Sequence, residues 1–202
     1  MINFDSILFN IDINRSIMPG PGSLLVAEPF LREEYFHHAV IQLIEYVPGG
    51  KAMGVVMNRK TGHMLQSLID GVNVETPIPV YCGGPLSCDR LFFVHTLGDL
   101  IPECQPLGDS GLYISGDFHV MLDYINSGYP VDGYIRFFVG YSGWSVGQLD
   151  EELSNKVWAV TDVKSPMAAL TLSEDRYWHQ AVKLLGPAYR GWQYHPRNVH
   201  AN

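Results

Sequence analysis

Apolar and polar positions fall into short runs along most of this chain. Leu24–Ala27, Ala39–Tyr46, Met53–Met57, Val80–Tyr81, Leu91–Thr96, Leu112–Ser115, Tyr134–Gly140 and Trp158–Val160 are rich in β-branched, aromatic or aliphatic residues. Turn chemistry bounds them at Pro48-Gly49-Gly50, Gly83-Gly84-Pro85 and Gly108-Asp109-Ser110-Gly111, so each run predicts a strand. Helical spacing is rarer. Phe118, Met121, Leu122 and Ile125 fall at i, i+3, i+4 and i+7 behind Asp117, an N-cap residue type, with Gly128 and Pro130 as the stop. Ser145 and Gln148 have the spacing of a capping box, which predicts a short helix through about Leu153. A third helix is expected from about Glu174 to Leu185, with Trp178, Ala181, Val182 and Leu185 on one face and Gly186-Pro187 ending it. Met64–Ile69 predicts one more short helix, and residues 161–173 a connector.

Strands and helices mix without a regular βαβ alternation. That pattern predicts an α+β fold with a mixed or antiparallel sheet. Residues 1–18 alternate weakly and predict an added strand or docking arm. The Met18–Gly22 break, MPGPG, then opens the main domain at about residue 19, running to 173. Residues 174–202 are expected to be a terminal helix and tail laid back on that domain.

The chain has 202 residues, 47% of them hydrophobic, which is enough for one large domain with its own core and no need of a disulfide or metal. A net charge of −8 repels phosphate backbones and argues against nucleic acid as a partner. The cysteines, Cys82, Cys88 and Cys104, are too few and odd in number for a disulfide framework, which points to a reducing cytoplasm. No apolar run approaches the ~20 residues that cross a bilayer, so no membrane partner is expected.

Signatures of known chemistry are missing. There is no phosphate-binding glycine loop, no H-E-x-x-H and no zinc-finger cysteine spacing, so neither a cofactor nor a metal is expected. His37 and His38, if on a strand, face opposite sides and cannot share a metal. Gly140-Tyr141-Ser142-Gly143-Trp144 has Trp144 where a nucleophile elbow needs glycine.

Three stretches taken together resemble the AlgH/YqgE family of bacterial proteins. They are Gly22–Pro29 (GSLLVAEP) with Gly54–Arg59 (GVVMNR); Tyr81–Pro85 (YCGGP) with Asp89–Phe92, Gly111–Tyr113 and Gly116–Phe118; and Arg136–Trp144 (RFFVGYSGW) continuing through Gly147–Leu149 to Glu152 and Trp158. The likeness spans about residues 20–185. It implies a single α+β domain with a folded, partly barrel-like sheet flanked by a few helices. It also brings the family label of transcriptional regulator, for which the chain shows no DNA-binding motif. Residues 1–18 and Ala188–Asn202 depart from the family pattern.

The candidate site follows from polar and glycine residues at strand ends. Arg136, Tyr141 and Gln148 have tips able to read a small polar or anionic ligand. Gly83 and Gly84 can present backbone N–H groups, and Asp117 and Arg90 can reach the same cleft. Each has a structural alternative: tight turns for the glycines, an N-cap for Asp117, an exposed ion pair with Asp89 for Arg90, and core burial for Trp144. The aromatic tail, Tyr189 to Arg197, is expected to pack on its own domain or a neighbouring subunit. The favoured function is a ligand-binding or regulatory protein. The alternative is an enzyme, a hydrolase or transferase acting on a small polar substrate, with Asp117, Ser142, Tyr141 and Arg136 as suspects.

Overall fold

Ten strands form one curled sheet whose spine is a single long strand. The computed structural model describes residues 17–33 and 35–195. In chain order the strands are β1 (Ser23–Ala27), β2 (Val40–Tyr46), β3 (Ala52–Val56), β4 (Lys60–Met64), β5 (Pro79–Cys82), β6 (Leu86–His95), β7 (Gln105–Pro106), β8 (Tyr113–Ile114), β9 (Ile135–Trp144) and β10 (Trp158–Asp162). The helices are α1 (Phe118–Asn126), α2 (Gln148–Ser154), α3 (Pro166–Thr171) and α4 (Glu174–Leu184), with 3-10 segments at Leu65–Ser67 and Pro187–Tyr194. The sheet order is β10-β1-β2-β3-β9-β6-β8-β7, with β5 added beside β9 and β4 beside β5. Only the β5–β9 pair is parallel, so the α+β expectation holds with a mixed, mostly antiparallel sheet.

The curl has a local cause in β9. Its first half pairs with β5 through Phe137–Val139, and its last residues pair with β3 through Ser142–Trp144. Between them Gly140 has φ +71°, a backbone value that a side chain disfavours. The strand bends there, trades one neighbour for another, and folds the sheet into a half-barrel.

Three apolar clusters fill the curved faces. Phe138, Tyr81, Leu170, Tyr177 and Trp178 belong to the largest, Phe137, Ile78, Ile125 and Ile135 to the one beneath α1, and Trp144 and Trp158 to a third beside α2. Helix α4 lies on β1, β2 and β10, where fully buried Trp178 donates its indole N–H to the Ala27 carbonyl at 2.9 Å. Behind it, Tyr189 and Trp192 pack against the same cluster. The arm expected at residues 1–18 lies almost wholly outside the described residues.

Some expectations change. The 161–173 connector contains α3, capped by the Ser165 hydroxyl with Pro166 in the first turn. Met64–Ile69 is not a helix of its own: Met64 ends β4, and only a 3-10 turn follows. His37 and His38 sit in a turn rather than a strand, so their rings stack at 4.5 Å instead of facing apart.

Candidate functional site

Arg136 is the second residue of β9, on the face shared with Phe138. Its side chain is only 3% exposed. Nη1 donates to the carbonyls of Met57 (2.6 Å) and Leu172 (2.8 Å), and Nη2 to that of Leu170 (2.5 Å). Arg136 thus joins three segments: the spine strand, the end of β3 and the C-terminal end of α3, where a cation also suits the helix dipole. The Tyr81 ring lies under the guanidinium, 4.2 Å from centroid to Cζ. Burial lowers the Arg136 pKa, partly countered by Tyr81, Tyr177 and Asp132. No carboxylate pairs with Arg136 among the described residues. A guanidinium has five N–H groups, so three bonds leave two without an acceptor among the described residues.

Arg136 also forms part of the wall of a cavity of about 370 Å³. The cavity opens where the parallel strands β5 and β9 begin, between the segment leading into β5, the α1–β9 connection and α3. Buried Ile78, Ile125, Ile135 and Leu170 make its apolar lining. Exposed Thr76, Tyr129 and Asp132 stand at its mouth. An apolar pocket with a few converging polar groups is the usual form of a small-molecule site.

The seven residues singled out in the sequence do not share this cavity. Arg136 alone lines it. Asp117 caps α1, accepting from the N–H groups of His119 (2.8 Å) and Val120 (3.1 Å). Gln148 opens α2, and the N-cap is Gly147 in a left-handed conformation with no side-chain cap, so the expected Ser145 cap does not form; Gln148 Oε1 accepts from the Ser145 N–H at 3.0 Å, and Nε2 donates to Glu152 at 2.8 Å. Tyr141 is half-buried and edge-on to Phe92. Arg90 is exposed, and the expected pair with Asp89 is absent among the described residues. The Gly83 N–H is taken by the Val139 carbonyl at 2.9 Å, while a Cβ on Gly83 would lie 2.2 Å from the Gly140 oxygen. Gly84 is equally crowded against Tyr141. The Gly83-Gly84 turn meets β9 at Tyr141 through backbone, but Asp117, Arg90 and Gln148 do not join Arg136 at the cavity, and the polar groups of Gly83, Asp117 and Gln148 are taken by local bonds.

Ser142 is 1% exposed, and its hydroxyl donates to the Gly83 carbonyl at 3.0 Å. Trp144 and Trp158 both donate their indole N–H to Glu152, at 2.8 and 2.7 Å. The Trp144-Gln148-Glu152-Trp158 part of the sequence pattern is thus a single knot that fixes α2 to the sheet.

The other polar residues of the cavity escaped the sequence. Tyr81 and Asp132 belong to the cavity, Tyr81 inside a motif but marked only by its glycines, Asp132 with no signal beyond being a turn residue. Asn58 is a buried joint: Oδ1 accepts from the Val40 N–H (2.9 Å), and Nδ2 donates to the carbonyls of His38 (2.8 Å) and Glu174 (3.0 Å).

A sequence model described as AlgH-like (DUF179) matches residues 24–190, most of the chain just described. The chain belongs to the AlgH-like family. A UPF0301 protein of Parabacteroides distasonis is 41% identical over 196 residues, covering 96% of this chain and 97% of that one. Most of both ends is therefore shared with that AlgH-like relative. A UPF0301 protein of Chlorobium luteolum is 32% identical over 169 residues, 84% of this chain and 87% of its own. The solution structure of AlgH from Pseudomonas aeruginosa superimposes with a TM-score of 0.65 at 26% identity, over 85% of this chain and 93% of that one. Protein DIP2367 from Corynebacterium diphtheriae shares the fold at 20% identity, with a TM-score of 0.66, over 89% of this chain and 94% of its own. The half-barrel is thus the AlgH-like fold. Among the described residues no helix is long and apolar enough to cross a membrane.

Proposed function

We propose that this AlgH-like chain is a cytoplasmic regulatory protein that binds a small amphipathic ligand in the Arg136 cavity. The ligand's apolar body fills the space between Ile78, Ile125 and Leu170. Its hydrogen-bond-accepting head, a carboxylate in the simplest case, faces Arg136 and Tyr81. The observation that carries this proposal is a buried guanidinium with no carboxylate partner among the described residues, on the wall of a largely apolar cavity. A buried charge is expensive to desolvate; three carbonyls and the Tyr81 ring offset part of that cost here, and a further acceptor beside the guanidinium recovers more. The chain's net negative charge opposes this little, because salt screens distant charges beyond ~10 Å. The bound Ser142 hydroxyl speaks against the hydrolase alternative. Three free cysteines suit a reducing compartment.

The test is a thermal-shift and calorimetric series with medium-chain alkyl and aryl carboxylates beside their alcohols. Saturable stabilisation of about 2.7 kcal/mol is expected at a hundredfold excess over Kd. It should be weaker for the alcohols and abolished by Thr76→Trp, which fills the mouth from an exposed position. Equal response of the wild type and Thr76→Trp, or none in the wild type, contradicts the proposal.

A further inference from the structure

Cys82 ends β5, and Cys88 lies in β6 just past the Gly83-Gly84-Pro85 turn. Both thiols turn to one atom. Each Sγ lies 3.7 Å from the Gly84 carbonyl oxygen, and that of Cys88 is also 3.5 Å from the Pro85 oxygen. The two sulfurs are therefore no farther apart than twice 3.7 Å. Thiols are weak donors, so the shared carbonyl holds neither firmly. Cys88 is exposed and Cys82 half-buried, not the fully buried residue that its place in a strand suggests.

The backbone that carries Cys88 interrupts the β6–β9 ladder. Leu86 pairs with Tyr141 and Leu91 with Val139, so residues 86 to 91 of β6 answer only 141 to 139 of β9. The excess residues form a bulge that the ladder does not pin. Ser87, inside it, has φ +50°, a strained value for a side-chain-bearing residue. Cys82 is held in register opposite Val139. One thiol is thus held in the β5–β9 ladder, and the other sits in the bulged part of β6. Cys104 is elsewhere, its Sγ 3.8 Å from the Gly98 oxygen.

We propose that Cys82 and Cys88 form a reversible intramolecular disulfide by exchange with a low-molecular-weight disulfide such as oxidised glutathione. Cys88, the exposed thiol, attacks as its thiolate. The small disulfide's S–S bond breaks, and one small thiol leaves with the proton that Cys88 lost. The Cys82 thiolate then attacks Cys88 Sγ in the mixed disulfide and expels the second small thiol, which takes the Cys82 proton. The dithiol is oxidised by two electrons, and the small disulfide is reduced to two thiols. The bridge clamps the bulge over the Gly83-Gly84 turn, where the backbone already touches β9. This pair stands independently of the ligand proposed for the cavity.

The reduced full-length chain is exposed to a series of glutathione redox ratios, quenched in acid, alkylated under denaturing conditions and cut with trypsin. The peptide of residues 61–90 holds both Cys82 and Cys88, while Cys104 falls in the peptide of residues 91–136. Expected is a residue 61–90 peptide about 2 Da lighter than its reduced form and closed to alkylation, with Cys104 still alkylated and the change reversed by dithiothreitol. Cys88→Ser and Cys82→Ser abolish the lighter peptide, and Cys104→Ser leaves it intact. A stable glutathione adduct on Cys88 with Cys82 still alkylated, chains cross-linked to one another, or three alkylated cysteines at ratios that oxidise a control dithiol peptide would each overturn the proposal. The wild-type mass reading is decisive even if a serine variant folds poorly.

Discussion

Arg136 gives three N–H groups to carbonyls on two segments, the end of β3 and the end of α3, and its removal therefore loosens both from β9. Arg136→Met keeps much of the stem's packing but leaves the Met57, Leu170 and Leu172 oxygens without that donor. An unsatisfied buried acceptor costs about 1–3 kcal/mol, so urea unfolding should show a loss of at least ~3 kcal/mol, with Arg136→Lys between it and wild type. Burial disfavours the charged form of two histidines. His38 is stacked on Trp178 at 3.9 Å; burial first, then His37, lowers its pKa to about 4 despite the opposing effect of Asp175. Burial also lowers that of His95, whose Nδ1 accepts from the Leu97 N–H while Nε2 faces the Ser115 carbonyl. Both bind protons more readily when unfolded. Their stabilising share is complete above pH 6.5 and is lost as pH falls through the folded values. Urea midpoints measured from pH 7.5 to 4 should fall most steeply below pH 6.5, and a flat profile across that window contradicts neutral burial.

Among the elements, the contact of the β5–β6 turn with β9 is the tightest backbone approach at the spine. Gly84 has φ +151°, and a Cβ there would stand 2.3 Å from the Tyr141 carbonyl carbon. Gly84→Ala should cost about 1–3 kcal/mol or more in chemical denaturation, as overpacking does, whereas Gly49→Ala, with open space around it, should cost less. Most elements were legible because burial leaves its period in the sequence. The five residues of β1 and Trp178, Ala181 and Val182 of α4 are buried as their patterns predict. Strand β4 was not legible, since no residue of Lys60–Met64 is buried and no apolar alternation marks it. Helix α3 is too short for periodicity, although Ser165-Pro166 carried its capping signal. At the site, Arg136 stood out as a charge inside an apolar strand. The neighbours that make its cavity come from segments distant in sequence, and pairing between them leaves no local trace. Gly83, Gly84 and Asp117 were legible as special positions, but the same residue types serve turns, caps and ligands alike.

At the scale of the whole molecule, the bend of β9 at Gly140 divides the two kinds of work. Beyond it, Ser142, Trp144, Gln148, Glu152 and Trp158 lock the half-barrel and α2 together. Before it, β5 and β9 run parallel, and the cavity opens at their first residues. The cavity thus lies beside, rather than inside, the locked half. The most direct test is an amide chemical-shift map of the full chain titrated with an aryl carboxylate that stabilises it. Saturable shifts are predicted at residues 74–81, 128–136 and around Leu170, with residues 142–158 unmoved. Saturable binding that shifts residues 142–158 or the α1 N-terminus instead, and leaves the cavity amides still, would contradict the account.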